Sequence, residues 1–61
     1  MNIPLADQIK SVERELKMRA SVYPKFVATG RMSQPKADHE IAAMTAVLET
    51  LKAIEEKEKL I

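Results

Sequence analysis

The sequence predicts an all-α fold: an antiparallel helical hairpin, with its first helix bent near Pro24, that pairs into a dimeric four-helix bundle. Apolar residues recur at helical spacing in both halves of the chain, and the single glycine, Gly30, lies between the halves. The 61 residues form one domain, and domains this small commonly need disulfides, a metal or oligomerisation. With no cysteine and one histidine, self-association or an unusually regular helical core remains.

The first helix is predicted from about Pro4 to Thr29. Ala20 fills a gap in its apolar stripe, and Asn2 is a candidate for the N-terminal cap. Gly30 can take a positive φ and is expected to end the helix. The other members of the stripe are Leu5, Ile9, Val12, Leu16, Tyr23 and Val27.

Two pairs of opposite charge are spaced to interact along this helix. Glu13 precedes Lys17 by four residues, and Glu15 precedes Arg19 by four. Pairs at this spacing are neighbours on a helix surface. Both are expected to form.

The stretch "SVYPKFVATGR", residues 21–31, places Pro24 and both aromatic residues close to the glycine. An interior proline costs about 3 kcal/mol and bends or interrupts a helix. One interpretation is a kinked last turn in which Tyr23 and Phe26 pack over Ala37 and Ile41. The other is a small pocket that captures an anionic, nucleotide-like ligand. Its residues, also candidates for binding a protein partner, are Tyr23, Lys25, Arg31 and Lys36.

The second helix is predicted from about Gln34 to Glu58, with Ser33 as its N-cap. Asp38 and Glu40 lie near its positive end, where carboxylates are favourable. The connection "GRMS" is short, so the helices must fold back antiparallel. The apolar stripe consists of Ala37, Ile41, Met44, Leu48 and Leu51, and is widened by Val47, Ile54 and Ile61.

This second stripe is too wide for one partner helix to cover. Met18, Val22 and Phe26 add a second, off-centre apolar row on the first helix. A hairpin that leaves such surface open is expected to dimerise, or to form a higher oligomer. The expected oligomer interface consists of Met44, Val47, Leu48, Leu51 and Ile54.

Residues 15–53, "ELKMRASVYPKFVATGRMSQPKADHEIAAMTAVLETLKA", carry a family pattern. It comprises Val-Tyr-Pro at residues 22–24, Gly-Arg at 30–31, and Ala-Asp-x-Glu-Ile-x-x-Met-x-Ala-Val-Leu at 37–48. This pattern resembles a group of small helical proteins of unknown function encoded in tailed bacteriophages and prophages. The resemblance implies a phage setting and a helical fold, and it brings no activity or catalytic residues.

No catalytic set or cofactor site is evident, so the sequence predicts a protein that is not an enzyme and has no cofactor. His39 is followed four residues later by Ala43, which leaves no metal-ligand pair, and a solvated histidine is expected. The serines have no histidine placed to activate them. No apolar run is long enough to span a membrane, and the N-terminus does not resemble a signal peptide.

A row of basic residues lies opposite the first stripe. Asp7 and Glu13 dilute it, and the net charge is only +1. Such a row either tracks the phosphates of a nucleic acid or is an ordinary solvated face. The residues of the row are Lys10, Arg14, Lys17 and Lys25.

These patterns predict a non-enzymatic protein, and the resemblance implies an accessory protein of phage type, located in the cytoplasm of the host cell. We expect it to bind a host or phage protein through a scaffold that assembles with copies of itself. Nucleic-acid binding through the basic row, and capture of an anionic ligand near Tyr23 and Arg31, are the alternatives.

Overall fold

The computed structural model describes residues 1–60, which form two α-helices that pack against each other as a hairpin. Helix α1 is Leu5–Ala28 and helix α2 is Gln34–Lys59. Each bound lies within one residue of its predicted position. Residues 1–60 contain no strand. Ile61, which the sequence assigned to the second apolar stripe, lies outside the described residues.

Helix α1 begins without a side-chain cap, so the prediction for Asn2 is wrong. Pro4 takes the N-cap position at φ −55° and ψ 144°, and its carbonyl accepts from the amides of Asp7 and Gln8 at 3.0 and 3.1 Å. The Gln8 side chain donates to the carbonyl of Ile3 at 2.9 Å. Since the helix starts one residue later than expected, Asn2 stands two positions before the cap.

The C-terminus of α1 confirms the predicted stop at Gly30. Gly30 has a φ of 76°, and its amide donates to the carbonyl of Val27 at 3.2 Å. The amide of Arg31 donates to the carbonyl of Phe26 at 2.8 Å. This pair of bonds is the Schellman motif, which satisfies the last carbonyls of a helix and reverses the chain.

Helix α2 begins with the predicted cap. Ser33 has extended backbone angles, and its Oγ accepts from the amide of Lys36 at 3.2 Å. Pro35 lies in the first turn, where an amide hydrogen has no helical partner. One residue, Met32, therefore separates the reversing turn at Gly30–Arg31 from the cap of α2.

The two helices meet along a seam of half-buried side chains that has a buried residue toward each end. Ile9 is 6% exposed near the open end of the hairpin, and Ala37 is 4% exposed near the turn. Ala20, expected to fill the α1 stripe, is exposed, and Arg19 is half-buried instead. Position on the helix decides this, because Arg19 lies where its side chain reaches Glu40 of α2 at 3.7 Å. The other seam residues are Leu5, Val12, Leu16, Tyr23 and Val27 on α1, and Ile41, Met44, Leu48 and Leu51 on α2.

Two ion pairs join the helices on opposite sides of the seam. Arg19 lies 3.7 Å from Glu40, and Lys52 lies 3.4 Å from Glu13. Arg19 and Glu13 are about 120° apart around α1 at ~100° per residue. The expected pair between Glu13 and Lys17 is not formed, because Glu13 reaches across to α2 instead.

Helix α1 continues through Pro24 as one element. Pro24 has no amide hydrogen to donate to the carbonyl of Ala20. Both residues are exposed, so water can solvate that carbonyl. The bend itself stays a prediction.

Replacing Gly30 should weaken the hairpin turn. A Cβ at this residue would meet no atom within 4 Å, so the cost is purely conformational. We expect Gly30→Ala to lower the free energy of unfolding by about 1 kcal/mol, since alanine resists the left-handed region. Gly30→Asn is the matched control and should lose less, because asparagine tolerates this region. Equal stability of the wild type and Gly30→Ala in urea denaturation would contradict the argument.

Replacing Pro24 should have the opposite effect. Pro24→Ala restores an amide that can donate to the carbonyl of Ala20. We expect the free energy of unfolding to rise by about 1–2 kcal/mol, less than the full proline penalty because alanine also frees the unfolded chain. Thermal melts of both proteins at one concentration measure this. A lower melting temperature for Pro24→Ala would mean that the folded protein depends on a bend at this residue.

Candidate interaction surfaces

One flank of the hairpin carries most of its exposed large apolar side chains outside the chain termini. The pair Arg19–Glu40 marks this flank on both helices. Phe26 follows Arg19 by seven residues, and Val47 and Ile54 follow Glu40 by seven and fourteen. Seven residues are about two helical turns, so each set stays on the side of its helix that the ion pair marks. We call this surface the apolar face, and it consists of Met18, Val22, Phe26, Val47 and Ile54.

The apolar face is accessible over most of its length. Met18 is 54% exposed, Val47 46% and Ile54 44%. Val22 and Phe26 are half-buried. Apolar side chains scattered singly over a surface are ordinary, but a contiguous set along one flank indicates a surface that binds something.

The predicted oligomer interface is divided by the fold. Met44, Leu48 and Leu51 are half-buried in the seam between α1 and α2. Val47 and Ile54 are exposed on the apolar face. The predicted interface therefore combines residues with two roles. The three half-buried residues hold the hairpin together, whereas Val47 and Ile54 are available to contact another molecule.

A shallow groove of about 280 Å³ runs along the α1 side of the apolar face. Its aromatic wall is formed by Tyr23 and Phe26, whose ring centroids are 6.4 Å apart. The guanidinium of Arg19 lies 5.9 Å from the Tyr23 ring, and that of Arg31 lies 5.9 Å from the Phe26 ring. Cations at this distance are attracted to an aromatic face. The groove is lined by Glu15, Met18, Arg19, Val22, Tyr23 and Phe26.

Arg19 connects the groove to the seam. Its Nε donates to Glu15 at 2.9 Å, which confirms the predicted pair within α1. The hydrogen bond to Glu15 raises the pKa of Arg19 above its usual value, and the charge of Glu40 acts in the same direction. Arg19 therefore keeps its charge beside the aromatic wall.

The residues proposed for a pocket at the turn are not gathered around one opening. Tyr23 and Lys25 are two residues apart, which places them about 160° apart around α1. Arg31 covers Phe26, and Lys36 lies 3.5 Å from Glu40. The structure thus places Tyr23 in the wall of the groove and turns Lys25 away from it, while ligand binding at this end stays a prediction.

The basic row follows the outer side of α1. Its four residues are exposed, and within residues 1–60 none has a carboxylate oxygen within 4.0 Å. At ~100° per residue they lie within about 80° of one another, on the side of α1 that faces away from α2. We call this surface the basic ridge, and it consists of Lys10, Arg14, Lys17 and Lys25.

His39 is exposed, as expected. Within residues 1–60 there is no group of acidic, histidine or cysteine side chains that could hold a metal ion. In the same part of the chain, neither helix combines the length and apolarity needed to cross a bilayer.

No protein-family model matches this chain, and neither a curated protein nor a solved structure matches it.

The groove gives different expectations for the ring and the hydroxyl of Tyr23. In residues 1–60 the hydroxyl takes part in no hydrogen bond, whereas the ring is half-buried under Arg19. We expect Tyr23→Phe to change the free energy of unfolding by less than about 0.5 kcal/mol. Tyr23→Ala should lower it by about 2 kcal/mol, since it removes the wall. A large loss in the phenylalanine variant, measured in urea, would show that the hydroxyl has a partner.

Proposed function

We propose that this protein is not an enzyme and acts by binding, as a two-fold pair of identical hairpins joined through the apolar face. The observation that supports this is the amount of surface the hairpin leaves exposed. In the paired form, Met18, Val47 and Ile54 would be covered by a second copy and the structure would be a four-helix bundle. The bundle then serves as a scaffold that binds a protein partner.

The accessible surface is larger than a compact monomer of this mass should have. The chain exposes 4866 Å² at a mass of 6.9 kDa. The scaling for folded monomers gives about 4000 Å² at this mass. The excess of about 900 Å² is close to the ~800 Å² that each partner contributes to a standard interface. A second copy therefore covers an area of the right size.

The shape of the hairpin supports the same conclusion. It measures 48 × 20 × 17 Å, with a radius of gyration of 14.3 Å. A compact domain of 61 residues has a radius of about 10.5 Å. A long, thin hairpin has only one seam, and pairing two of them side to side builds a second layer of helices.

The two helices contribute parts of complementary shape to the apolar face. Helix α1 contributes the groove beside Val22 and Phe26, and helix α2 contributes the exposed side chains of Val47 and Ile54. In a two-fold interface each copy contributes the same patch, so every contact between the two copies occurs twice. We infer that the α2 side chains of each copy pack toward the α1 groove of the other. The predicted bend at Pro24 lies beside that groove, between Tyr23 and Phe26 in the sequence.

The resemblance to small phage proteins fits this role and adds its setting. A chain whose binding surfaces lie on a self-assembling scaffold suits an accessory factor that engages a host or phage protein in the host cytoplasm. Tyr23, Lys25, Arg31 and Lys36 remain the candidates for contacting that partner near the turn. Capture of an anionic ligand there is less favoured, because Lys25 lies on another side of α1.

Two lysine substitutions on α2 should separate pairing from folding. Light scattering should give at least twice 6.9 kDa for the wild type at micromolar concentration. Val47→Lys should reduce the mass toward one chain, because it places a charge in the shared interface. Leu48→Lys should also abolish helical circular dichroism, since Leu48 is half-buried in the seam.

Ala42→Lys is the matched control for Val47→Lys. Ala42 is exposed, and five residues place it about 140° away from Val47 around α2. It should keep the oligomeric mass. A monomeric wild type would overturn the proposal. Equal loss of oligomeric mass in Val47→Lys and Ala42→Lys would overturn it as well.

Crosslinking gives a test that does not depend on losing the fold. The chain has no cysteine, so a single introduced thiol reports its own position. Met18→Cys, on the apolar face, should give covalent dimers with a short bismaleimide. Ala20→Cys, exposed two residues away on another side of α1, should give few. Equal yields from both positions would indicate random collision and contradict pairing through the apolar face.

A further inference from the structure

We infer that the basic ridge of α1 binds the phosphate backbone of a nucleic-acid duplex. This goes beyond the proposed pairing, because the basic ridge shares no residue with the apolar face and adjoins it only at Met18. The inference rests on the pairing of acidic and basic side chains within the fold.

The fold draws the neighbouring carboxylates of α1 away from the basic ridge. Glu13, spaced to neutralise Lys17, instead lies 3.4 Å from Lys52 on α2. Glu15 holds Arg19 at 2.9 Å. Lys17 is left without a carboxylate partner in residues 1–60. From the sequence alone, the expected pair with Glu13 would have halved the charge at the middle of the row.

The basic ridge has the dimensions of a phosphate-tracking surface. From Lys10 to Lys25 it extends about 22 Å along α1, at 1.5 Å per residue. Ser21 occupies the gap between Lys17 and Lys25 and adds a hydroxyl to the row. Asp7 lies on the same side, beyond Lys10, and is exposed near the positive end of the helix. Cations in such a row displace the counterions condensed on a duplex.

The chemistry of the basic ridge favours a duplex over other polyanions. A membrane-surface helix needs a broad apolar face beside its cations, whereas Met18 is the one exposed large apolar side chain of α1. Single-strand binding commonly uses aromatic platforms for the bases. Here Tyr23 and Phe26 line the groove on the Arg19 flank, about 120° or more from Lys17 around α1. Ser21 lies within the row, and the exposed Met18 lies beside it, about 20° from Lys25 around α1. The cations of the row match the phosphates along a duplex backbone, so binding should not depend on base sequence.

The test is the salt dependence of binding to a fluorescein-labelled duplex of mixed sequence, followed by fluorescence anisotropy with the wild-type protein. Non-specific binding should appear with a dissociation constant of ~10⁻⁴–10⁻⁶ M at physiological salt and tighten as salt falls. Arg14→Gln/Lys17→Gln should make the slope of log K against log salt less steep by about 2 per copy bound. Circular dichroism verifies that the variant remains helical.

Lys57→Gln/Lys59→Gln is the matched control, since it removes two exposed lysines from the last turn of α2, outside the basic ridge. It should leave the slope unchanged. No binding even at low salt, or an equal effect of the two double variants, would overturn the inference. Binding to phosphatidylserine vesicles but not to the duplex would overturn it as well, and so would a preference for a single strand of the same sequence.

Discussion

The packing of one stripe of α1 against one stripe of α2 is the interaction on which the rest of the molecule depends. Two helices can cover only one side of each other, so within residues 1–60 only Ile9 and Ala37 are buried, at 6% and 4% exposure. The other seam residues stay half-buried. Burial is limited because the fold has only two helices, and not because sequence and fold are poorly matched. It leaves apolar surface at Val47 and Ile54 that a third or fourth helix would normally cover.

The turn between Gly30 and Ser33 fixes the register in which the two helices pack. The Schellman bonds end α1, and the cap at Ser33 starts α2 within three residues, so little freedom remains in how the helices are aligned. With that register, Arg19 meets Glu40 on one flank and Glu13 meets Lys52 on the other. These ion pairs are exposed or half-buried, and each stabilises the fold by about 0–1 kcal/mol. Their larger consequence is to determine which side chains remain unpaired.

The sequence predicted the two helices and the turn better than it predicted which side chains contact each other. Apolar periodicity, one glycine and one capping serine were enough for both helices and the turn, because those signals act within a few residues. Periodicity did not determine which side chains reach across the seam, since that depends on register. Hence Ala20 was placed in the stripe where Arg19 lies, and Glu13 was paired with Lys17 instead of Lys52. The expected interface on α2 was likewise a single set, although three of its five residues pack in the seam with α1.

The charge distribution follows from this same register. A helix with two carboxylates and five cations between residues 10 and 25 could neutralise part of its own outer side. Instead, Glu13 and Glu15 are engaged toward the two flanks of the seam, and the outer side keeps its cations. Pairing through the apolar face would reach the outer side of α1 only at Met18, beside Lys25, because the rest of that face lies on the Arg19 flank. Lys10 and Lys17 lie about 80° and 100° from Met18 around α1, so this part of the basic ridge would stay accessible in the paired form.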